Sequence, residues 1–161
     1  RSTLRGALGA LTLSCAVASA APAHASHYRI VDISERFSPE VLAEFSRLGY
    51  ETTLDVLRNV ATPDARAALA SVSGVTVAEL TEVARMCEFL QIEGIGPKAF
   101  QLLVTAGVQD LEDLAGRDAA ALLAEIVAVN ATQRITGVDP EVDLVRHWII
   151  EAAQAPIRVI Y

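Results

Sequence analysis

The run Ile92-Glu93-Gly94-Ile95-Gly96-Pro97-Lys98 constrains what this chain can fold into more than any other stretch. Two glycines in an isoleucine frame permit a tight turn that a side chain would strain. Pro97 stands where a second helix begins, the helical position that tolerates proline. Leu102-Leu103, then Gly107-Val108 ahead of Leu111 and Leu114, carry the apolar pattern onward. The stretch reads as a helix-hairpin-helix unit. Such a turn aims backbone N–H groups outward at a helix N-terminus, a geometry suited to anions such as phosphate. Gly94, Ile95, Gly96, Pro97 and Lys98 are therefore the candidate binding residues, with the Lys98 ammonium assisting the amides. The competing role for the same turn is structural, letting two helices pack closely.

The hairpin has a counterpart earlier in the chain. Setting Phe37-Ser38-Pro39 over Ile95-Gly96-Pro97 places Gly49 over Gly107 and Asp55 over Asp113 without a gap. Phe45 then falls on Leu103, Tyr50 on Val108 and Val56 on Leu114. Few letters are identical, so the shared period carries the case for an internal repeat. Each half reads as the same series of helices. One over 39–48, or 97–106, stops at Gly49 or Gly107, which suit the left-handed position that ends a helix. Thr52 and Asp110 suit N-caps of a short helix, over 54–57 and 112–114. Longer helices follow over 63–71, opened by Thr62, Pro63 and Asp64, and over 118–129. The last helices span 77–90 and 140–154, with Thr76 and Asp139 as caps. The final residues, Pro156-Ile157-Arg158-Val159-Ile160-Tyr161, are too β-branched for a helix and read as an extended tail. The tail either packs back on the domain or docks onto a partner. The expected fold class is all-α, two pseudo-repeated helix-hairpin-helix units packed as one compact helical domain.

Residues 1–25 differ in kind. Arg1 and Arg5 precede a run of small apolar residues, and Ala23-His24-Ala25 forms an A-x-A cleavage pattern before Ser26. This is the layout of an export signal. The run is short and broken by Ser14, Ser19 and Pro22, which disfavours a membrane anchor. Thr12 stands where a lipoprotein signal ahead of Cys15 needs a large aliphatic residue. The expected destination is periplasmic or extracellular, or an organelle lumen such as that of the thylakoid. The expected organisation is a leader over 1–25, a first half over 26–90 and a second half over 91–161.

Charge and reactive residues narrow the function. The chain has 13 basic against 20 acidic residues, a net charge of −7, and removing the leader takes away two arginines and no acid. General nucleic-acid binders carry a basic surplus instead. Past the leader only Cys87 remains; it cannot form an internal disulfide, and its apolar setting with Leu80, Val83 and Ala84 reads as a buried thiol. His24, His27 and His147 are scattered and do not supply a zinc ligand set. No Ser-His-Asp or Cys-His spacing suggests a nucleophile. Gly94-x-Gly96 lacks the Gly-Lys-Ser/Thr of a phosphate-binding loop. No metal, cofactor or catalytic residue is expected. Trp148, the single tryptophan, should anchor the last helix in the core with Leu144, Val145 and Ala152.

The order and spacing of several groups resemble one family throughout: Tyr28-Arg29-Ile30 with Asp32-Ile33, Leu48-Gly49-Tyr50 with Thr52, Arg66 with Leu69-Ala70, Gly74-Val75, the run from Ile92 to Pro97, Ala106-Gly107-Val108, Leu114-Ala115, Asn130, Trp148-Ile149, Ala152, and the tail from Pro156 to Tyr161. On these the chain resembles the family called domain of unknown function 4332, a tandem helix-hairpin-helix family, over residues 28–161. The resemblance implies a fold and little about function. It also implies a Gly-Ile-Gly hairpin in the first half. This chain has Ser34-Glu35-Arg36-Phe37-Ser38-Pro39 there, without the glycines and with an extra residue. Glu35 places a negative charge where a phosphate would approach. Tandem hairpin proteins that grip DNA use both hairpins, and in related hairpins the turn carbonyls also hold a monovalent cation.

The expected function is that of a non-catalytic binding module, a protein–protein interaction or scaffold protein outside the cytoplasm with an unknown protein partner. The alternative is an exported, sequence-independent DNA-binding protein that contacts phosphates through residues 94–98. DNA binding predicts a basic strip around Lys98, Arg117 and Arg134; scaffolding predicts an exposed apolar patch.

Overall fold

A computed structural model of the chain describes residues 27–161. The leader assigned to residues 1–25, with Cys15 and His24, lies outside the described residues. Within them a 3-10 segment, Ile30–Arg36, leads into eight α-helices. No strand occurs among the described residues, and Arg29 and Thr52 form one isolated antiparallel bridge. The all-α class is what the helical periodicity and caps implied.

The helices begin where side chains meet their free amides. Ser38 accepts from the Val41 N–H and starts α1, Pro39–Leu48, which ends at Gly49 with φ 72°. Thr52 starts α2, Thr53–Val60, in a capping box with Asp55. Thr62 starts α3, Pro63–Ser73, and Thr76 starts α4, Val77–Leu90. The second half repeats the order. α5, Pro97–Thr105, follows Gly96. Asp110 caps α6, Leu111–Ala115, and Asp118 caps α7, Ala119–Gln133. α8, Val142–Gln154, follows Glu141 without a side-chain cap.

The start of α8 corrects the sequence reading, which put Asp139 at the cap and Pro140 in the first turn. Asp139 Oδ1 instead accepts from Asn130 Nδ2 at 2.7 Å. Asn130 Nδ2 also donates to the Thr136 carbonyl, and Asn130 Oδ1 accepts from the Thr136 N–H. The carboxylate is thus engaged by the loop between α7 and α8, and the helix starts two residues later than Pro140.

The aligned residues do the same work in both halves. Tyr50 N–H donates to Phe45 O at 2.9 Å, and Val108 N–H to Leu103 O at 3.0 Å. Asp55 Oδ2 accepts from Glu51 N–H at 3.2 Å, and Asp113 Oδ2 from the aligned Gln109 N–H at 2.9 Å. α2 packs on α4 as α6 packs on α8, and α3 on α4 as α7 on α8. Phe45, Leu103, Val56 and Leu114 are all buried.

Two apolar clusters form the core. The first gathers Ile33, Phe45, Val56, Leu57, Leu80 and Cys87; the second gathers Ile95, Leu103, Leu111, Leu122, Val145 and Trp148. α4 is the wall between them: Cys87 and Leu90 face the first cluster, and Phe89 the second. This explains why residues 86–92 are buried without a break, since a helix packed on both sides has no polar face. Phe89 meets Phe100 of α5 edge-on, ring centroids 5.3 Å apart. Complete burial pushes the Cys87 thiol up to about 12, so it stays protonated and unreactive.

The tail packs back on the protein, the first of its two expected courses. Val159 enters the first cluster. Gln91 Nε2 donates to Ile157 O at 2.7 Å. Glu88, 2% exposed, accepts from Val159 N–H and the Tyr161 hydroxyl, each at 2.8 Å. Arg66, equally buried, donates to Ile160 O at 2.6 Å. Burial raises the Glu88 pKa above the ordinary 4.5, against the opposing pull of its two donors and Arg158. The native state therefore holds this proton more tightly than the unfolded chain does. Its stabilising effect is full below about pH 4.5 and is lost as pH rises through the raised value. Relative to Glu88→Gln, the wild type is expected to lose stability as pH climbs over that range. Urea unfolding of both proteins at several pH values reads the slope; an unchanged difference would contradict the assignment.

Candidate functional site: the second hairpin

From the end of α4 the chain turns through Gln91 to Gly96. Ile92 N–H donates to Phe89 O and Ile95 N–H to Ile92 O, both at 3.1 Å. Ile95 is completely buried and pins the turn to the second core. Of the other candidate residues, Gly94 and Lys98 are exposed, and Gly96 and Pro97 half-buried. Gly94 has φ +83°, and a Cβ there would lie 3.0 Å from Trp148 Nε1 and 3.2 Å from Leu144 Cδ1. Backbone strain and lack of space both require glycine. At Gly96 a Cβ would come 3.1 Å from the Tyr28 hydroxyl.

The two halves differ most here. Ser38, over which Gly96 aligns, caps α1 with its own hydroxyl and also donates to Glu79 Oε1 at 2.5 Å. Gly96 has no side chain, and none caps α5. Pro97 has no N–H, so the free donors of the first turn are the amides of Lys98 and Ala99.

The hairpin walls a groove of about 470 Å³, lined among others by Lys98, Leu102, Val138, Asp139, Leu144 and Trp148. The opposite wall is the α7–α8 loop that Asn130 braces. Trp148 is 2% exposed, as an anchor should be, but its Nε1 has no hydrogen-bond partner. Leu144, expected in the core, is 38% exposed and lies on the groove instead. It faces out because Val145 and Trp148 take the inward positions of that turn.

The basic strip expected for DNA binding is incomplete. Arg117 donates to both oxygens of Asp113, at 2.8 and 3.0 Å, to Gly107 O at 3.2 Å and to Glu125 at 3.4 Å. The guanidinium holds the Asp113 carboxyl below the usual carboxylate range. Arg117 is thus a clamp across α6, its charge taken up by carboxylates. Lys98 and Arg134 are exposed, and neither makes an ion pair among the described residues. The cue for Arg117 was in the sequence, an aspartate four residues earlier that the arginine reaches from the turn just past α6. The unpaired indole had no such cue, because Gly94 and Trp148 lie far apart in the chain.

No curated protein and no solved structure matches the chain. The family model described as Domain of unknown function (DUF4332) matches residues 35–155, from the 3-10 lead-in to the residue after α8. The order of caps and helices described above lies almost wholly inside that span, and the chain belongs to the DUF4332 family.

Proposed function

We propose that this chain is a non-catalytic helix-hairpin-helix module that binds a protein partner outside the cytoplasm, using the groove beside the second hairpin. The observation that carries the reading is the groove itself, where Leu144 and Val138 leave apolar surface beside an uncapped helix start. Exposed apolar surface rimmed by polar groups is the mark of an interaction site. The buried Cys87 thiol and the structural uses of Arg66, Glu88 and Asn130 support a non-catalytic role. The A-x-A pattern before Ser26 supports export.

Phosphate contact with DNA is the competing reading, and the uncapped α5 with Lys98 favours it. Against it stand the net charge of −7, the engaged Arg117, and a first hairpin replaced by a self-capped Ser38. A duplex-DNA titration of the protein from Ser26 onward, at low salt, is expected to show no binding. Salt-sensitive binding that Lys98→Glu abolishes would overturn the proposal. A photo-crosslinker at Val138 is expected to capture a discrete protein that one at exposed Val72, on α3, does not. Equal labelling from both would count against the groove. N-terminal sequencing of the protein from its source should begin at Ser26; an intact leader would overturn the extracytoplasmic placement.

A further inference from the structure

We propose that two copies of this chain associate by exchanging the segment 157–161, each seating it in the slot that the other copy provides. The slot is built to read an extended main chain. Gln91 Nε2 donates to Ile157 O at 2.7 Å, and Gln91 Oε1 accepts from Ile157 N–H at 3.3 Å. Glu88 Oε1 accepts from Val159 N–H at 2.8 Å. Ala61 O accepts from Ile160 N–H at 2.8 Å, and Arg66 Nη2 donates to Ile160 O at 2.6 Å. Arg66, Glu88 and Gln91 are each 3% exposed or less. Three buried polar side chains thus direct hydrogen bonds at the backbone of one short segment. Val159 enters the first core, and the Tyr161 hydroxyl donates to Glu88 Oε2.

An empty slot is costly and a borrowed segment is not. Without an occupant, the Glu88 carboxyl and the Gln91 amide lose their partners, at about 1–3 kcal/mol for each buried group left unmet. The same segment from a second copy restores every one of these contacts. The connection to α8 permits the exchange. Only Ala155 and Pro156 join the segment to that helix; Ala155 has left the helix at φ −54° and ψ 129°, and Pro156 is exposed. Ala61, Arg66, Glu88 and Gln91 all lie outside α8, and a single hydrogen bond, from Arg158 to Ala152 O, ties the segment to it. A segment whose contacts lie on other elements, joined through a short connection, is what domain swapping exchanges. The tether presents the chain's own segment at a roughly millimolar effective concentration. A second copy therefore competes when copies are crowded to that level, or when the connection cannot close on its own slot. None of the exchanged residues lines the hairpin groove, so the dimer carries two grooves on one particle.

The protein from Ser26 onward, refolded at about 1 mM, is expected to yield a dimer that survives gel filtration; refolded at micromolar concentration it should yield monomer. Isotope-labelled and unlabelled chains are then refolded together with a photo-crosslinker in place of Ile160, which is 58% exposed and whose N–H meets Ala61 O. Within the dimer, links from position 160 to the turn around Ala61 should join labelled to unlabelled peptides. A chain that stays monomeric at the higher concentration would overturn the proposal, as would a dimer whose links never join the two labels. Deleting Ala155 and Pro156 takes up to about 7 Å from the reach of the connection. That variant should raise the dimer fraction at micromolar concentration by about tenfold or more. A deletion variant that stays monomeric, folded or not, would overturn the exchange and leave the hairpin-groove reading untouched.

Discussion

Replacing Arg66 by methionine is expected to lower the unfolding free energy by about 3–5 kcal/mol, because buried carbonyls that lose a charged donor cost about 1–3 kcal/mol each. Arg66 is 2% exposed and makes no ion pair among the described residues. Its charge is met by carbonyls instead. Nη1 donates to Val60 O at 2.9 Å and Ala61 O at 3.2 Å, and Nη2 to Ile160 O at 2.6 Å. Val60 is the last residue of α2, so the guanidinium sits at the negative end of that helix, where a cation is favoured. Methionine fills much of the volume but leaves three acceptors without their donor. Lysine should recover only part of the loss, because one ammonium cannot reproduce the planar fork. Denaturant unfolding of the three proteins measures this. A methionine variant within about 1 kcal/mol of wild type would show that the carbonyls find other partners.

The second large effect divides one side chain into two parts. Trp148→Ala is expected to cost about 3–5 kcal/mol, because the indole fills the second core and its loss leaves a cavity. Trp148→Phe should remain within about 1 kcal/mol of wild type, since it gives up some volume but also removes a buried donor whose orphaned state costs about 1–3 kcal/mol. A phenylalanine variant as damaged as the alanine one would mean that the N–H finds an acceptor in solution.

These two residues also mark how far the sequence could be read. Helix starts were legible because a cap is local: Thr52, Thr62, Thr76 and Asp110 each meet the amide three residues on, whereas Asp118, read as the first residue of its helix, is the cap just before it. Asp139 looked like another and is not, because Asn130, nine residues earlier, claims its carboxylate. Gly94 announced a turn but not the indole beneath it. Arg66 stood out only as a position shared with a family, and its partner Ile160 lies 94 residues away. Local hydrogen bonds are written in neighbouring letters; a charge met by a distant carbonyl is not.

That distance sets an order of assembly. A chain made from its N-terminus presents Arg66, Glu88 and Gln91 long before Ile157, Val159, Ile160 and Tyr161 exist to meet them. The first half therefore cannot bring its buried charge and carboxyl to their final partners while synthesis is under way, and it completes its own core only with residues from the end of the second. Such a nascent chain waits, part-formed, for residues 157–161, and a deletion of those residues alone would unsettle the half of the molecule made first.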